Sequence, residues 1–85
     1  MKILKVKYLH DFKCEVAFSS GETKIADFED FLKKSKNKSI TKFLDKNKFK
    51  LVEIDTGFLS WNNGEMEISA HSLFHQYSKN IVEAL

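Results

Sequence analysis

The sequence has no proline, no arginine and one cysteine, and only three of its 85 residues are glycine. A lone cysteine cannot form an intramolecular disulfide, which favours a reducing compartment. The absence of arginine excludes bidentate guanine readout and stacked guanidinium contacts, so specific base recognition is disfavoured. The glycines are isolated from one another, which excludes a glycine-rich phosphate-binding loop.

Long apolar stretches are also missing. No run approaches the ~20 apolar residues of a membrane-spanning helix. A lysine at nearly every second position of residues 1–7 is incompatible with the apolar stretch of a signal peptide. We therefore expect a cytoplasmic protein without membrane association. Eight phenylalanines, one tryptophan and two tyrosines supply the core of a single domain over residues 1–85, without metal or cofactor.

Alternating apolar and polar residues near the N-terminus predict an antiparallel hairpin. The residues expected to face the core are Leu4, Val6, Tyr8, Phe12, Cys14, Val16 and Phe18. His10 and Asp11 lie between its two arms, and Gly21 can adopt the positive φ of the next turn. A third strand from residue 22 to about residue 26 completes a three-stranded meander.

Two short helices are predicted to follow the meander. Asp27 has the side chain of an N-cap residue, and its helix should run from residue 28 to about residue 34. After a polar loop, Ser39 or its neighbour caps a second helix, which carries Ile40, Phe43 and Leu44 on one face. The turn-forming residues 45–47 end this helix.

The C-terminal third should return to strands. A strand is expected over residues 49–55, and a hairpin joins residues 58–61 to residues 65–68 through a type I′ turn at Asn63 and Gly64. Ser69 then caps a last helix, whose apolar stripe comprises Ala70, Leu73, Phe74, Tyr77 and Ile81. The predicted fold class is α+β: an antiparallel β-meander of three strands, two short helices, a further strand with a closing β-hairpin, and a C-terminal helix.

Four segments of the chain are distinctive: Val6-Lys7-Tyr8-Leu9, the turn Phe18-Ser19-Ser20-Gly21-Glu22-Thr23, the strand end Asp27-Phe28, and Leu59-Ser60-Trp61-Asn62-Asn63-Gly64 before the last helix. In these segments and in the order of its elements, the chain resembles family 2442 of the bacterial domains of unknown function. Members usually have proline at the position of Asn62, and often a glycine-rich segment at residues 35–39. The resemblance covers nearly the whole chain and implies a small α+β fold without established catalytic residues.

The same resemblance implies a biological setting. Members are small free-standing bacterial proteins, and some are joined to a helix-turn-helix DNA-binding domain. Their genes often lie beside another small uncharacterised protein, in arrangements that resemble toxin and antitoxin pairs.

Charge is distributed unevenly. Residues 33–50, hereafter the basic segment, contain eight lysines and one acid, Asp45, for a local charge of +7, whereas the rest of the chain carries −5. The lysines are Lys33, Lys34, Lys36, Lys38, Lys42, Lys46, Lys48 and Lys50. Such density can attract an anionic partner over long range. The interpretations are a solvated surface, a site for an acidic protein, and weak, non-specific nucleic-acid binding.

Candidate catalytic and metal-binding groups are sparse. His71 and His75 are four residues apart, close enough on a helix to share a metal, but the His-Glu-x-x-His order of zinc proteases is absent. We interpret them as half-exposed residues beside the apolar stripe. Cys14 with His10 could suggest a thiolate, yet Cys14 falls on the predicted core face. We expect no catalytic, metal or cofactor site and no enzymatic activity.

Aromatic residues near the C-terminus are the candidate interface anchors, namely Trp61, Phe74 and Tyr77. Tryptophan is enriched in protein interfaces, although Trp61 is also in register with Leu59 to pack into the core. A homodimer through the sheet edge or the last helix is one hypothesis. The leading functional hypothesis is a non-enzymatic protein-interaction or regulatory module, the antitoxin-like member of a two-gene pair. The alternative is a nucleic-acid-associated protein that uses the basic segment.

Overall fold

The computed structural model describes residues 1–79, with side chains described for residues 1–75. Strands β1 (Ile3–His10), β2 (Lys13–Phe18) and β3 (Thr23–Asp27) form the predicted antiparallel meander. A short strand β7 (Ser78–Lys79) extends this sheet at β3, which gives the order β1-β2-β3-β7. The α+β fold class and the meander are therefore confirmed.

A bulge near the start of β1 changes which of its side chains face the core. Ile3 pairs with Phe18 and Lys5 with Ala17, so Leu4 is an extra residue without a partner on β2. A bulge of this kind shifts the alternation of side chains by one residue. Ile3 is consequently buried and Leu4 is 59% exposed, which corrects the prediction that Leu4 faces the core.

The connection between the two sheets is helical for longer than predicted. It contains α1 (Glu29–Lys34), α2 (Lys38–Thr41), a 3₁₀ turn (Lys42–Leu44) and α3 (Lys46–Phe49). Asn37 caps α2 by accepting from the Ser39 N–H, and Asp45 caps α3 by accepting from the Asn47 N–H. The cap predicted at Ser39 or its neighbour is therefore wrong. Asp27 accepts from the Glu29 N–H as predicted, but α1 begins at Glu29 and its N-cap residue is Phe28, one residue later than predicted.

The predicted strand over residues 49–55 is also wrong at its start. Asp45 accepts a hydrogen bond of 2.9 Å from the Asn47 N–H and begins α3. The prediction was that a helix ends at this point. Phe49 is fully buried at the end of α3, and the strand β4 comprises only Glu53–Asp55. An Asp-Lys-Asn triplet can either end one helical turn or begin the next. Local propensity therefore could not show that Asp45 begins α3.

A second antiparallel sheet contains β4, β5 (Phe58–Trp61) and β6 (Met66–Ile68), in that order. In the turn between β5 and β6, Asn63 and Gly64 have the positive φ values predicted, 56° and 92°. Asn62 is left-handed as well, with a φ of 53°, and β6 begins at Met66, one residue later than predicted. The Glu65 N–H closes it on the Asn62 carbonyl at 3.3 Å. The Asn-Gly turn is therefore confirmed.

A backbone hydrogen bond joins the two sheets at Gly57, in the turn between β4 and β5. Its carbonyl accepts a hydrogen bond of 3.0 Å from the Ile3 N–H of β1. Gly57 has a φ of 84°, and a Cβ at this position would lie 3.0 Å from Cγ of Lys2. Glycine therefore supplies both the backbone conformation and the space for this contact.

The last helix is shorter than predicted. Ser69 caps α4 (Ala70–Ser72) by accepting a 3.1 Å bond from the Ser72 N–H, which confirms the predicted cap. Residues Leu73–Tyr77 form a π-helical turn, and the chain then becomes β7 instead of continuing as a helix. Ile81, placed on the predicted stripe, lies outside the described residues.

An aromatic cluster fills the space between the sheets and the helical connection. Trp61 and Phe28 are fully buried with their ring centroids 5.7 Å apart, and Phe49 lies 5.5 Å from Trp61. Phe12 packs edge-on against Phe49 at 5.4 Å. Edge-to-face pairs in this range stabilise a core beyond the burial of their area. Among the described residues, none of the helices has the length and apolar character to cross a membrane.

Candidate interaction surface

The basic segment begins in α1 and ends just after α3, so its lysines lie along the helical connection and its loops. Three of the eight are ion-paired. Lys33 bonds Glu29 on the preceding turn at 2.6 Å, Lys42 bonds Glu65, and Lys46 bonds Asp11 at 3.0 Å. Including these three carboxylates lowers the local charge from +7 to +4.

Lys42 connects the helical segment to the closing hairpin. Its Nζ lies 2.6 and 2.7 Å from the two carboxylate oxygens of Glu65. Asn62 donates a further 2.6 Å hydrogen bond from Nδ2 to the same carboxylate. The hydrogen bond from Lys42, followed by that from Asn62, lowers the pKa of Glu65 below its usual range. This lysine is therefore committed to an intramolecular contact.

Lys46 makes the equivalent connection to the turn between β1 and β2. Its Nζ donates to Oδ1 of Asp11, and His10 contacts Oδ2 of the same carboxylate at 3.1 Å. The Lys46 hydrogen bond, with a smaller contribution from His10, lowers the pKa of Asp11. Asp11 adopts a φ of 51°, a conformation that Asp tolerates better than most residues.

The remaining five lysines have no carboxylate within 4.0 Å among the residues that the structure describes. They are Lys34, Lys36, Lys38, Lys48 and Lys50. All five are exposed. The positive potential of the basic segment therefore comes chiefly from these side chains, which are available to an external anionic group.

A groove of about 450 Å³ lies where the basic segment meets the closing hairpin. Lys42 and Lys48 line one part of it, and Asn62 and Asn63 supply amides from the hairpin turn. Leu51 also lines the groove and is 63% exposed, the highest value among the large apolar side chains described. Cationic, amide and apolar groups thus meet at one place.

Sequence reasoning missed Leu51 and the two asparagines. Leu51 lay inside the predicted strand, and the asparagines were interpreted only as turn residues. The signal that could have revealed Leu51 is its position directly after Lys50 and three residues after Lys48, since an apolar side chain there adjoins charged ones. The proximity of hairpin and basic segment requires the tertiary fold.

The candidate interface anchors have different environments. Trp61 is fully buried and its Nε1 donates a 2.8 Å hydrogen bond to the carbonyl of Phe49. The interpretation of Trp61 as a core residue is therefore confirmed, and the alternative of an exposed anchor is wrong. Phe74 is partly buried, with its ring 5.2 Å from Phe18 and Lys24 Nζ 3.5 Å from the ring centroid. The side chain of Tyr77 lies outside the described part of the chain.

The candidate thiolate is also assigned to the core. Cys14 is fully buried on the inner face of β2, and burial raises the pKa of its thiol to about 12. His10 is exposed and contacts Asp11, so the two residues have separate surroundings. A thiol with this pKa stays protonated at neutral pH and is a poor nucleophile.

The structure defines a small α+β domain with a packed aromatic core and a lysine-rich surface that borders a groove. Residues 3–78 match the model of a family described as protein of unknown function (DUF2442), and the chain belongs to that family. The resemblance identified from the sequence is thereby confirmed. Neither the curated proteins nor the solved structures contained a significant match.

Proposed function

We propose that this protein is a non-enzymatic interaction module that binds an acidic protein segment at the groove between the basic segment and the closing hairpin. The observation that carries the proposal is the position of Lys48 beside the exposed side chain of Leu51 in that groove. In keeping with the gene arrangement that the resemblance implies, the partner would be the second protein of a two-gene pair, and this chain its antitoxin-like or regulatory member.

The composition of the groove favours a protein ligand. A peptide can place an apolar side chain against Leu51, accept from the amide of Asn63 and pair a carboxylate with Lys48. Apolar contact and a charge pair together give affinity and orientation, whereas charge alone chiefly accelerates encounter.

The ion pairs of the basic segment weaken the alternative of nucleic-acid binding. Lys33, Lys42 and Lys46 are already paired to carboxylates, so fewer cations remain for phosphates. The DNA titration described below distinguishes nucleic-acid binding from the binding of a protein partner.

The test is capture of the partner from an extract of the encoding organism, with immobilised wild-type protein and two double variants. The groove variant is Lys48→Glu with Leu51→Ser. The control is Lys5→Glu with Leu4→Ser, which makes the same changes in charge and polarity at exposed positions of β1. A protein retained by the wild type and the control but lost from the groove variant supports the proposal. Equal retention by all three contradicts it.

A parallel titration with labelled duplex DNA examines the alternative. Charge reversal of Lys36, Lys38, Lys46 and Lys48 should abolish any binding that uses the basic segment, and affinity for DNA should fall steeply with salt. Submicromolar DNA binding at physiological salt that this variant loses would favour the nucleic-acid function over the proposed one.

A further inference from the structure

His71 and His75 come together on one side of the last helix. Their ring centroids are 4.5 Å apart with an interplanar angle of 52°, and both residues are exposed. His71 belongs to α4 and His75 to the π-helical turn that follows it. The structure therefore places both imidazoles in contact at the surface, and not merely on the same flank.

Packing fixes the backbone that carries the two histidines. Leu73 and Ala70 are buried in the core, and the Ser69 cap holds the first turn. The Phe74 ring packs edge-on against both Phe18 and His75, each at 5.2 Å. The buried residues hold the backbone that carries the two histidines, so this backbone loses little further freedom when a ligand binds.

The spacing suits shared coordination of a metal ion. Zinc binds imidazole nitrogen at about 2.0–2.1 Å, and two nitrogens on one tetrahedral ion lie roughly 3.4 Å apart. Rings whose centroids are 4.5 Å apart can bring two nitrogens to that separation by rotation about χ2, which is soft for an exposed histidine. Histidines four residues apart on one helix also supply two ligands in the zinc sites of metalloproteases.

We propose that His71 and His75 form a two-ligand site for a divalent transition-metal ion of the zinc class. No group of three or more His, Cys, Asp or Glu residues is placed to hold a metal within the described part of the chain. The ion would complete its coordination with water or with a ligand from another molecule, as an open and exchangeable site. This inference is independent of the proposed function, because the groove contains neither histidine.

The chain supplies its own control. His10 is the third histidine and is exposed. Its ring contacts the neighbouring Asp11 carboxylate, and no second imidazole lies beside it within the described residues. The variants are His71→Ala, His75→Ala and His10→Ala in the full chain without an affinity tag. All three positions lie at the surface, so the variants should fold, which the circular dichroism spectrum and the emission of the buried Trp61 verify.

The experiment is calorimetric titration with zinc chloride at neutral pH. Since a second chelating ligand contributes a factor on the order of 10² to affinity, His71→Ala and His75→Ala should each weaken zinc binding by at least about tenfold. His10→Ala should leave it unchanged. Wild-type affinity no greater than that of either helix variant, or an equal loss in His10→Ala, would overturn the proposal.

Discussion

Trp61 of the closing hairpin donates its indole N–H to the backbone carbonyl of Phe49 at the end of α3, at 2.8 Å and in a fully buried setting. The two residues also pack ring against ring, with centroids 5.5 Å apart. One side chain thus satisfies the polar backbone at the end of a helical turn and fills the core beside it. The contact between Trp61 and Phe49 holds the helical connection against the second sheet. It thereby fixes the position of the lysines on that connection.

Replacing Trp61 by phenylalanine separates the hydrogen bond from most of the packing. The Phe49 carbonyl would lose this donor while buried, so Trp61→Phe should lower the free energy of unfolding by about 1–3 kcal/mol, measured by urea denaturation. Phe58→Leu on the same strand is the control, since Phe58 is 43% exposed and should change stability by about 0.5 kcal/mol or less. A smaller loss in Trp61→Phe than in the control would show that the bond contributes nothing.

A glycine pair tests the contact between the two sheets. Gly57→Ala and Gly21→Ala both force alanine to a positive φ, 84° and 97° respectively, at a cost of about 1–3 kcal/mol. Only at Gly57 would the new Cβ meet another atom, Lys2 Cγ at 3.0 Å, whereas nothing lies within 4 Å at Gly21. Thermal unfolding should therefore show a lower Tm for Gly57→Ala. Equal Tm values would mean that Lys2 moves aside without cost.

The link between Lys42 and Glu65 predicts a dependence of stability on pH. The pKa of Glu65 is lowered in the folded protein, so its ion pair stabilises the fold above the carboxyl's unfolded pKa of about 4.3. That contribution is lost as the pH falls through the lowered pKa. Glu65→Gln should accordingly be less stable than wild type at neutral pH, with the difference shrinking on acidification.

The control for this pH series is Glu22→Gln, because Glu22 is exposed and forms no ion pair within the described residues. Its stability should follow that of the wild type throughout. If Glu65→Gln retained the same deficit well below the usual carboxyl range, the ion pair would not be the cause.

The buried thiol of Cys14 should be unreactive toward thiol reagents in the folded protein. With a pKa of about 12, its thiol carries almost no thiolate at neutral pH, and no solvent reaches it. Labelling with a disulfide reagent should therefore be far slower in buffer than in denaturant, as followed by absorbance. Rapid labelling of the native protein, with its fold intact by circular dichroism, would contradict the buried position.

Substitutions of Cys14 test whether its site in the core is apolar. Cys14→Ser places a hydroxyl in an apolar site and should cost about 1–3 kcal/mol, since the site is built for an apolar group. Cys14→Ala, which removes the sulfur without adding a polar group, should be the milder of the two changes. The reverse order would indicate that the hydroxyl finds a partner.

Local signals predicted much of the fold. The alternation of apolar residues in β2, the Ser69 cap and the positive φ at Asn63 and Gly64 depend on neighbours within a few residues, and all three are confirmed. The candidate surface was less predictable. The eight lysines are visible in the chain, but their division into three paired and five unpaired members depends on Asp11 and Glu65, which are distant in sequence.

Errors arose where tertiary contacts override a local pattern. Leu4 and Ile3 are both apolar, and only the bulge against β2 selects Ile3 for the core. Phe49 has the β propensity of an aromatic residue, yet the Trp61 indole and the surrounding rings hold it at the end of a helical turn. The last helix ends because residues Ser78–Lys79 pair with the open edge of β3.

The sequence by itself determined the family, the α+β class, the core positions of Cys14, Val16 and Phe18 in β2 and the concentration of lysine in residues 33–50. These follow from composition, from short-range periodicity and from turn chemistry. The tertiary structure alone decided that Trp61 is buried, that Leu51 stands beside Lys48 in a groove, and that the rings of His71 and His75 meet. Each of these depends on the packing of segments against one another, which no local pattern specifies.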